Sequence, residues 1–364
     1  MTRVAVDLRE ILFQGRGWHR YGINLLRCLV QHPGLEFLFV VEDKTEAARH
    51  FPFLETATSD FLVLPLDRRL DSPRTRHPDV DDCDIYHSPT EFPEFITRHA
   101  KTVVTIHDTS FRVCPSHMDP GFVAAASGAL DRAVAEADAI AATTNWVARN
   151  IAEHAKEQNT DIRGRLHELG FGLDHLPACA QGRHTPAGIG RDYLLYVGGI
   201  ERDKNVDQVL DALVAHAGAA RETTFIVASR DALQLGTRLD ARLRDRVILL
   251  PDVDDDALVG LYAHAAYLVA PSLDEGLGLC PLEALRLGTP SICSDIPPFR
   301  EHLGRAALYF NPYSTADLRT AIERGLADKT REGLLRAADH LSLDDSTWGR
   351  CAERIATIYE SVLR

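Results

Sequence analysis

The sequence predicts two doubly wound α/β domains of similar size, and three observations support this prediction. The first is a series of short β-branched runs, such as RVAVDL near the start and DYLLYVGG after residue 190. Most are apolar throughout, which is typical of parallel strands buried on both faces. The second is strand–helix alternation, since helical patterns such as RYGINLLRCLVQH and NVDQVLDALVAHA follow several runs. The third is the length of 364 residues, which favours two domains over one.

The predicted strands fall into two groups on either side of a segment without periodicity. The first group comprises RVAVDL, EFLFVVE, FLVLPL, DIYHS, KTVVTIHD and ADAIAATT. The second comprises DYLLYVGG, TTFIVAS, RVILLP, AYLVAPS and PSICSD. Residues 177–192 between them are rich in Gly, Pro and Ala, which is typical of a linker. We therefore place one domain at residues 1–178 and the other at residues 188–344.

The last segment of the chain predicts an amphipathic helix at residues 345–364. Asp345 or Ser346 is the expected N-cap, since both side chains can accept a hydrogen bond from a first-turn N–H group. Apolar residues recur at intervals of three and four and form one stripe, which comprises Trp348, Cys351, Ile355, Ile358 and Val362. The stripe predicts that this helix packs against another part of the protein.

Composition and charge argue against several classes of protein. The net charge of −13 is unfavourable for general binding to nucleic acid or anionic lipid. The seven cysteines form no C-x-x-C pair, which is typical of thiols in a reducing compartment. No signal-peptide pattern and no run of ~18 apolar residues occurs, so we expect a cytoplasmic protein. The basic stretch DRRLDSPRTRH at residues 67–77 leaves peripheral contact with the inner face of a membrane open.

The stretch SLDEGLGLCPLEALRLGTP at residues 272–290 is the most informative part of the sequence. It follows a predicted strand and leads into a helix expected to begin near Pro281, and open α/β sheets bind ligands at such strand ends. Its glycines let the backbone approach a ligand, and a helix start binds anions. Glu275 and Glu283 could accept hydrogen bonds from hydroxyl groups of the same ligand. A sugar nucleotide, which is half phosphate and half hydroxyls, would suit such a site. The structural alternative is that Glu283 only reaches back to an N-cap at Cys280.

The same stretch resembles the signature of glycosyltransferase family 4, which in its wider form reads PSxxEGxGLxxLEAxxxGxP. The matching residues are Pro271, Ser272, Glu275, Gly276, Gly278, Leu279, Leu282, Glu283, Ala284, Gly288 and Pro290. Other segments resemble further parts of the family, so the resemblance covers nearly the whole chain; they are DYLLYVGGIERDKNVDQVLDAL, DIYHSPTEFP, KTVVTIHDTSF, ADAIAATTNWVARNIAE and GRGWHRYGINLL. The resemblance implies the GT-B architecture, in which two Rossmann-like domains face across a cleft and the C-terminal helix packs back on the first. It also implies a nucleotide-sugar donor as substrate, no further cofactor, no metal, and retention of anomeric configuration.

The resemblance implies roles for residues of the second domain. Glu283 would accept hydrogen bonds from the donor ribose hydroxyls, and Glu275 from hydroxyls of the donor sugar. Lys204 would neutralise the pyrophosphate as charge develops on the leaving group. The N–H groups of three consecutive residues would hold the distal phosphate or the sugar edge, namely those of Gly278, Leu279 and Cys280.

The resemblance also implies roles in the first domain. His107 would touch the transferring sugar. Gly15 and Gly17 would let the first loop come close to the donor phosphate or the acceptor. His87 ends a neighbouring strand, and we favour His107 over it as a ligand because His87 fits a packed core position.

One departure from the family concerns its basic pair. Many relatives have an adjacent Arg-Lys, whereas this chain has Asp203-Lys204, with Arg202 one position earlier. It also has Gly199 where other relatives have an arginine. A phosphate clamp needs two cations. Arg202 could supply the second from its shifted position, Arg230 could supply it instead, or Arg202 could be a solvated surface charge.

Two D-x-D sequences match the metal motif of a different glycosyltransferase fold, GT-A. They are Asp82-Cys83-Asp84 and Asp252-Val253-Asp254. Neither closes an apolar strand, so we interpret both as solvated acidic segments, the second of them as the start of a helix. The histidines show no tight metal-ligand spacing, and we expect no metal site.

These observations predict a retaining, metal-independent hexosyltransferase. The expected donor is a sugar nucleotide, with GDP-mannose as the family-level choice, and the expected acceptor is a glycan or a lipid-linked saccharide. A GT-B nucleotide-sugar epimerase would consume the donor without an acceptor. A catalytically weak binding subunit is a further alternative. The altered basic pair favours the subunit, whereas the presence of both glutamates, His107 and Lys204 favours the enzyme.

Overall fold

The computed structural model describes residues 1–12, 17–56, 58–66, 74–177, 189–215, 223–327, 330–341 and 343–364. These residues form two compact units: Met1–His175 with Ser346–Arg364, and Leu176–Asp345. Most of the expected linker (178–188), most of the basic stretch (67–73) and Gly15 lie outside the described residues.

The first unit is built on a parallel sheet. Within the described residues its strands are β1 (Thr2–Asp7), β2 (Leu35–Val41), β3 (Ser59–Val63), β4 (Ile85–Ser88), β5 (Lys101–Ile106), β6 (Ala139–Ala142) and β7 (Leu166–Glu168). Their order across the sheet is β3-β2-β1-β4-β5-β6-β7. The helices between them are α1 (Gly17–Leu29), α2 (Lys44–His50), α3 (Pro78–Asp81), α4 (Ser110–Val113), α5 (Pro120–Glu136) and α6 (Asn145–Glu157).

The second unit repeats this plan. Within the described residues its strands are β8 (Tyr193–Val197), β9 (Phe225–Ala228), β10 (Val247–Leu250), β11 (Ala265–Ala270), β12 (Ser291–Ser294) and β13 (Ala307–Phe310). They lie parallel in the order β10-β9-β8-β11-β12-β13. Its helices are α7 (Val206–Val214), α8 (Ala232–Gly236), α9 (Asp255–His264), α10 (Leu279–Arg286), α11 (Pro297–Leu303), α12 (Thr315–Leu326) and α13 (Thr330–Ala338).

Burial explains why apolar residues predominate at both inward and outward positions of these strands. Every residue of β4, β6, β9, β11 and β12 is buried. Helices cover both faces of such a sheet, so inward and outward positions alike lose water. The doubly wound α/β class predicted from the sequence is therefore confirmed.

The final helix, α14 (Trp348–Val362), belongs to the first unit and packs against α1. The Trp348 and Tyr21 rings meet edge to face with centroids 4.9 Å apart. The helix begins later than the sequence predicted: Thr347 is the N-cap and accepts a hydrogen bond from the N–H of Arg350, so the expectation of Asp345 or Ser346 was wrong. Asp345 instead ends a short 3-10 turn that begins at Leu343.

The buried stripe of α14 is largely as predicted. Trp348, Cys351, Ile355 and Ile358 are buried, and Val362 is half-buried. None of the helices in the described ranges combines the length and apolar character needed to cross a bilayer.

Candidate functional site

The strand order of the second unit defines where a ligand would bind. The chain starts at β8, moves outward to β9 and β10, and then crosses to β11 on the other side of β8. Neighbouring helices leave the sheet on opposite faces at such a reversal and open a crevice at the carboxyl ends of the two strands. The loops that follow β8 and β11 therefore form the candidate site.

The loop after β8 is held rigidly against the loop after β11. Asn205 adopts a left-handed backbone conformation with φ +56°. Its side-chain amide donates to the carbonyl oxygen of Pro271 at 3.2 Å and to that of Pro312 at 3.0 Å. The N–H of Leu273 donates to the carbonyl oxygen of Asp203 at 2.8 Å. These bonds fix the 3-10 turn Arg202–Lys204 beside the acidic loop.

Lys204 and Glu275 meet at this junction. The Lys204 ammonium group lies 2.9 Å from Glu275 Oε1, and the Ser272 hydroxyl donates to the same oxygen at 2.8 Å. Asp203 adds a second carboxylate 3.7 Å from the ammonium group. The Lys204 and Glu275 side chains remain 26% and 20% exposed, so solvent and ligands can reach both. The structure thus brings together two of the residues to which the sequence assigned roles.

Gly278 terminates the acidic loop and begins α10. Its φ of +73° lies in the left-handed region, and a Cβ at this position would collide with the ring of Phe299. Both constraints require glycine. Because Gly278 is the N-cap, the N–H groups of Leu279 and Cys280 belong to the first helical turn, where they have no acceptor within the helix.

The position of Glu283 corrects one prediction. The helix begins at Leu279 rather than near Pro281, so Glu283 lies beyond the first turn and Cys280 is not the N-cap. Glu283 is only 2% exposed. The hydroxyl of Tyr262, at the end of α9, donates to Glu283 Oε2 at 2.8 Å. The structural alternative, in which Glu283 caps its own helix, is therefore wrong.

None of the sequence motifs includes Tyr262, which lies near the end of α9. A buried tyrosine usually needs a hydrogen-bond partner for its hydroxyl group. This chemical requirement is the property of Tyr262 that could have indicated a polar neighbour.

The two candidate replacements for the missing arginine are both exposed. Within the described residues the Arg202 side chain makes no hydrogen bond or ion pair, and it lies on the turn that carries Lys204. Arg230 follows β9, one strand further from β11. At Gly199, an added Cβ would meet the flexible Glu201 carboxylate. The geometry leaves both arginines as candidates.

The first unit carries the second set of predicted residues. His107 follows β5 and is half-buried, with its Nε2 2.7 Å from the carbonyl oxygen of Pro89. A carbonyl oxygen only accepts hydrogen bonds, so Nε2 carries the proton and Nδ1 keeps the lone pair in the neutral ring. Burial lowers the pKa of His107 to about 4, against the opposing effect of the Pro89 contact. The ring is therefore neutral near pH 7 and can accept a hydrogen bond at Nδ1.

His87 is a core residue, as the sequence predicted. It is 1% exposed, with Nδ1 2.6 Å from the Tyr359 hydroxyl of α14 and Nε2 2.9 Å from the Thr105 hydroxyl of β5. Burial lowers its pKa to about 3. Asp108 also has an internal function, because its Oδ1 accepts from both the N–H and the hydroxyl of Ser110 at 2.5 Å. Gly17 starts α1 and is exposed, with open space around it.

The two D-x-D sequences have structural functions. Asp254 is the N-cap of α9 and accepts from the N–H of Ala257 at 2.7 Å. Asp84 accepts from the N–H of Arg3 at 2.8 Å. No group of three or more His, Cys, Asp or Glu placed to hold a metal ion occurs in the parts of the chain that the structure describes.

Comparison with known proteins identifies the fold first. The solved structure of WaaG, described as a glycosyltransferase involved in lipopolysaccharide biosynthesis, matches with a TM-score of 0.69 at 15% identity. The match covers 98% of this chain and 99% of WaaG. Two Rossmann-like parallel units that match such a structure along its whole length define the GT-B fold.

Sequence comparison then identifies the family. Residues 191–328 match the family described as "Glycosyl transferases group 1". The O-antigen chain mannosyltransferase RfbU of Salmonella typhimurium is 45% identical over 85 residues, which are 23% of this chain and 24% of RfbU. The O-antigen chain mannosyltransferase B of Escherichia coli is 24% identical over 290 residues, which are 76% of this chain and 74% of that protein. Residues 191–328 therefore match the group 1 glycosyltransferases, and the resemblance to family 4 is confirmed. The chain spans about a quarter of the length of the first relatives that it matches.

Proposed function

We propose that the protein is a retaining hexosyltransferase that uses a sugar nucleotide as donor and a glycan or lipid-linked saccharide as acceptor. The observation that carries the proposal is the junction of Lys204 and Glu275 at the β8–β11 crossover, beside the glycine-capped start of α10. It places a cation, a carboxylate and first-turn N–H groups at the carboxyl ends of adjacent strands. Diphosphates and sugar hydroxyls are the ligands that this combination suits.

Each group has a distinct role in this proposal. Lys204 neutralises the pyrophosphate and stabilises it as the leaving group, so the chain itself supplies the charge that a metal ion supplies elsewhere. The N–H groups of Gly278, Leu279 and Cys280 hold the distal phosphate or the sugar edge. Glu275 accepts from a hexose hydroxyl, for which its exposed edge leaves room.

Glu283 serves the nucleoside half of the donor. A carboxylate accepts several hydrogen bonds through its two oxygens, so Glu283 can accept from ribose hydroxyls in addition to Tyr262. The proposed donor sugar is mannose, carried by GDP, because the relatives RfbU and mannosyltransferase B are named mannosyltransferases. Those names also favour transfer over epimerisation. A lipid-linked acceptor would bring the protein to a membrane surface.

His107 of the first unit is proposed to contact the transferring sugar. Its neutral ring presents a lone pair at Nδ1 while Nε2 is held by Pro89. A sugar hydroxyl can donate to that lone pair. Gly17 and Gly15 are proposed to let the first loop approach the donor phosphate or the acceptor, and Arg202 to assist Lys204 at the pyrophosphate.

Binding of bare nucleotide to Glu283 variants tests the proposal. Replacing Glu283 by alanine should weaken GDP binding about tenfold or more, because a hydrogen bond to a charged group contributes about 1.5–3 kcal/mol. Isothermal titration with GDP and, in parallel, UDP measures the loss. The matched control is Glu301→Ala, a glutamate elsewhere in the second unit. Unchanged affinity of Glu283→Ala for both nucleotides would show that the ribose assignment is wrong.

A further inference from the structure

The hydrogen bond between Tyr262 and Glu283 joins two helices inside the second unit. Tyr262 is fully buried and Glu283 is 2% exposed. The hydroxyl–carboxylate distance is 2.8 Å. The backbone of α9 is itself anchored here, because Thr289 donates to the carbonyl oxygen of Tyr262 at 2.6 Å and Tyr193 donates to that of Leu261 at 2.7 Å. The phenol therefore reaches Glu283 from a fixed position.

A fixed donor has a specific effect on a glutamate side chain. The last side-chain torsion of glutamate rotates the carboxylate plane. Its angle is broadly distributed, so the torsion alone does not select one orientation of that plane. A hydrogen bond to one oxygen selects one orientation of that plane and so determines where the other oxygen lies. Hydrogen bonds to a ligand depend steeply on such geometry.

We propose that Tyr262 is a positioning residue, which holds the Glu283 carboxylate in the orientation that accepts hydrogen bonds from the nucleotide ribose; this rests on the ribose role proposed for Glu283 above. Tyr262 itself does not touch the donor. Its hydroxyl makes the enzyme selective for a ribose with its hydroxyl groups in place over the corresponding deoxyribose.

A purely structural role would look different. A buried tyrosine hydroxyl that only satisfies a buried carboxylate contributes to stability and affects every ligand alike. A positioning role affects only ligands that carry the contacted hydroxyl group. Deoxy analogues of the nucleotide separate the two roles without reference to stability.

The experiment measures the affinities of GDP, 2′-deoxy-GDP and 3′-deoxy-GDP by isothermal titration, with the three uridine analogues in parallel. The parent should prefer the full ribose over at least one deoxy analogue by about tenfold or more. In Tyr262→Phe this preference should fall below about threefold, while the affinity for that deoxy analogue stays within about twofold of the parent value. The substitution removes one oxygen and keeps the ring, and thermal melting verifies folding.

The matched control is Tyr267→Phe, which removes another buried tyrosine hydroxyl of the second unit, one that makes no hydrogen bond in the described part of the chain. It should keep the ribose preference of the parent. A preference retained in Tyr262→Phe, or an equal loss for all three nucleotides, would overturn the positioning role. Glu283→Ala separates failure of the positioning role from failure of the proposed function. If Glu283→Ala also keeps the preference for the full ribose, the assignment of Glu283 to the ribose is wrong.

Discussion

Lys204 contacts a carboxylate at the place where the proposed function puts a diphosphate. Its ammonium group lies 2.9 Å from Glu275 Oε1 and 3.7 Å from Asp203. A diphosphate that binds here must share this cation with Glu275 and is repelled by the carboxylate. In the proposed function Glu275 would therefore weaken the binding of bare nucleotide and serve the hexose of the complete donor.

This competition predicts the effect of neutralising Glu275. Glu275→Gln should bind GDP about three- to tenfold more tightly than the parent, because a negative charge beside the phosphates is removed in a partly solvated site. Transfer of the hexose should nevertheless fall, since the sugar hydroxyl loses its charged acceptor. Isothermal titration and a donor-consumption assay measure the two effects.

Ser272→Ala is the control for this prediction. Its hydroxyl contacts the same oxygen of Glu275 at 2.8 Å but carries no charge. It should leave GDP affinity near the parent value. Weaker GDP binding by Glu275→Gln would contradict the proposed competition and would place the phosphates away from Lys204.

The sequence identified some of these residues but not their partners. Spacing and motif placed Glu275, Glu283 and Lys204 beside strand ends. The pairing of Lys204 with Glu275 joins positions 71 residues apart, and its geometry depends on how Asn205 ties the two loops together. The contact of Tyr262 with Glu283 likewise depends on how α9 and α10 are placed against each other, which no local sequence pattern encodes.

At the scale of elements, strands were easier to predict than helix starts. The apolar runs located eleven strands of the described residues, whereas β7 and β13 were not singled out. Strand β7 contains only Leu166, His167 and Glu168, and as an edge strand it buries little. Helix α10 starts two residues before Pro281, because Gly278 with its positive φ ends the loop and proline is tolerated throughout a first turn.

The contact of α14 with the first sheet leads to a prediction about acid stability. His87 links Tyr359 of α14 to Thr105 of β5, and burial lowers its pKa to about 3 from an ordinary 6.5. The unfolded chain therefore binds a proton that the folded chain excludes as the pH falls below 6.5. Stability is fully present above that pH and declines toward pH 3, by roughly 2 kcal/mol at pH 5 from this residue alone.

Urea titrations at pH 7 and pH 5 measure this decline. All three tryptophans lie in the first unit, at positions 18, 146 and 348, so their fluorescence reports its unfolding. His107, with a pKa lowered to about 4, adds a loss in the same direction. His87→Gln, which keeps hydrogen-bonding groups but does not titrate, should show a smaller difference between the two pH values. An equal difference in this variant would remove His87 as the cause.

At the scale of the whole molecule, both units share one plan. Each sheet begins at its centre, builds outward on one side and then crosses to the other, so each has a crevice at the carboxyl ends of its central strands. The alternation of strands and helices along the sequence was sufficient to predict this plan. The same alternation did not predict which unit carries which chemical role, because the roles depend on the side chains that the loops present.

The last prediction concerns the stereochemistry of transfer. An inverting enzyme needs a general base for the acceptor hydroxyl, which can be a carboxylate or a histidine, and a double-displacement mechanism needs a nucleophile that attacks the sugar. His107 is assigned to the transferring sugar. The three carboxylates of the matched motifs are engaged otherwise. Glu275 is bound by Lys204 and Ser272, Glu283 by Tyr262, and Asp108 by the N–H and hydroxyl groups of Ser110.

With these acids engaged, we expect substitution on the front face of the sugar. The phosphate leaves with its charge stabilised by Lys204, an oxocarbenium-like sugar forms, and the acceptor hydroxyl arrives on the same face. The departing phosphate then takes the acceptor proton. An α-linked donor such as GDP-mannose should therefore give an α-linked product, which the one-bond carbon–proton coupling at the anomeric centre identifies. Asp108→Asn should retain this stereochemistry. A β-linked product that disappears in Asp108→Asn would instead make Asp108 the base of an inverting reaction.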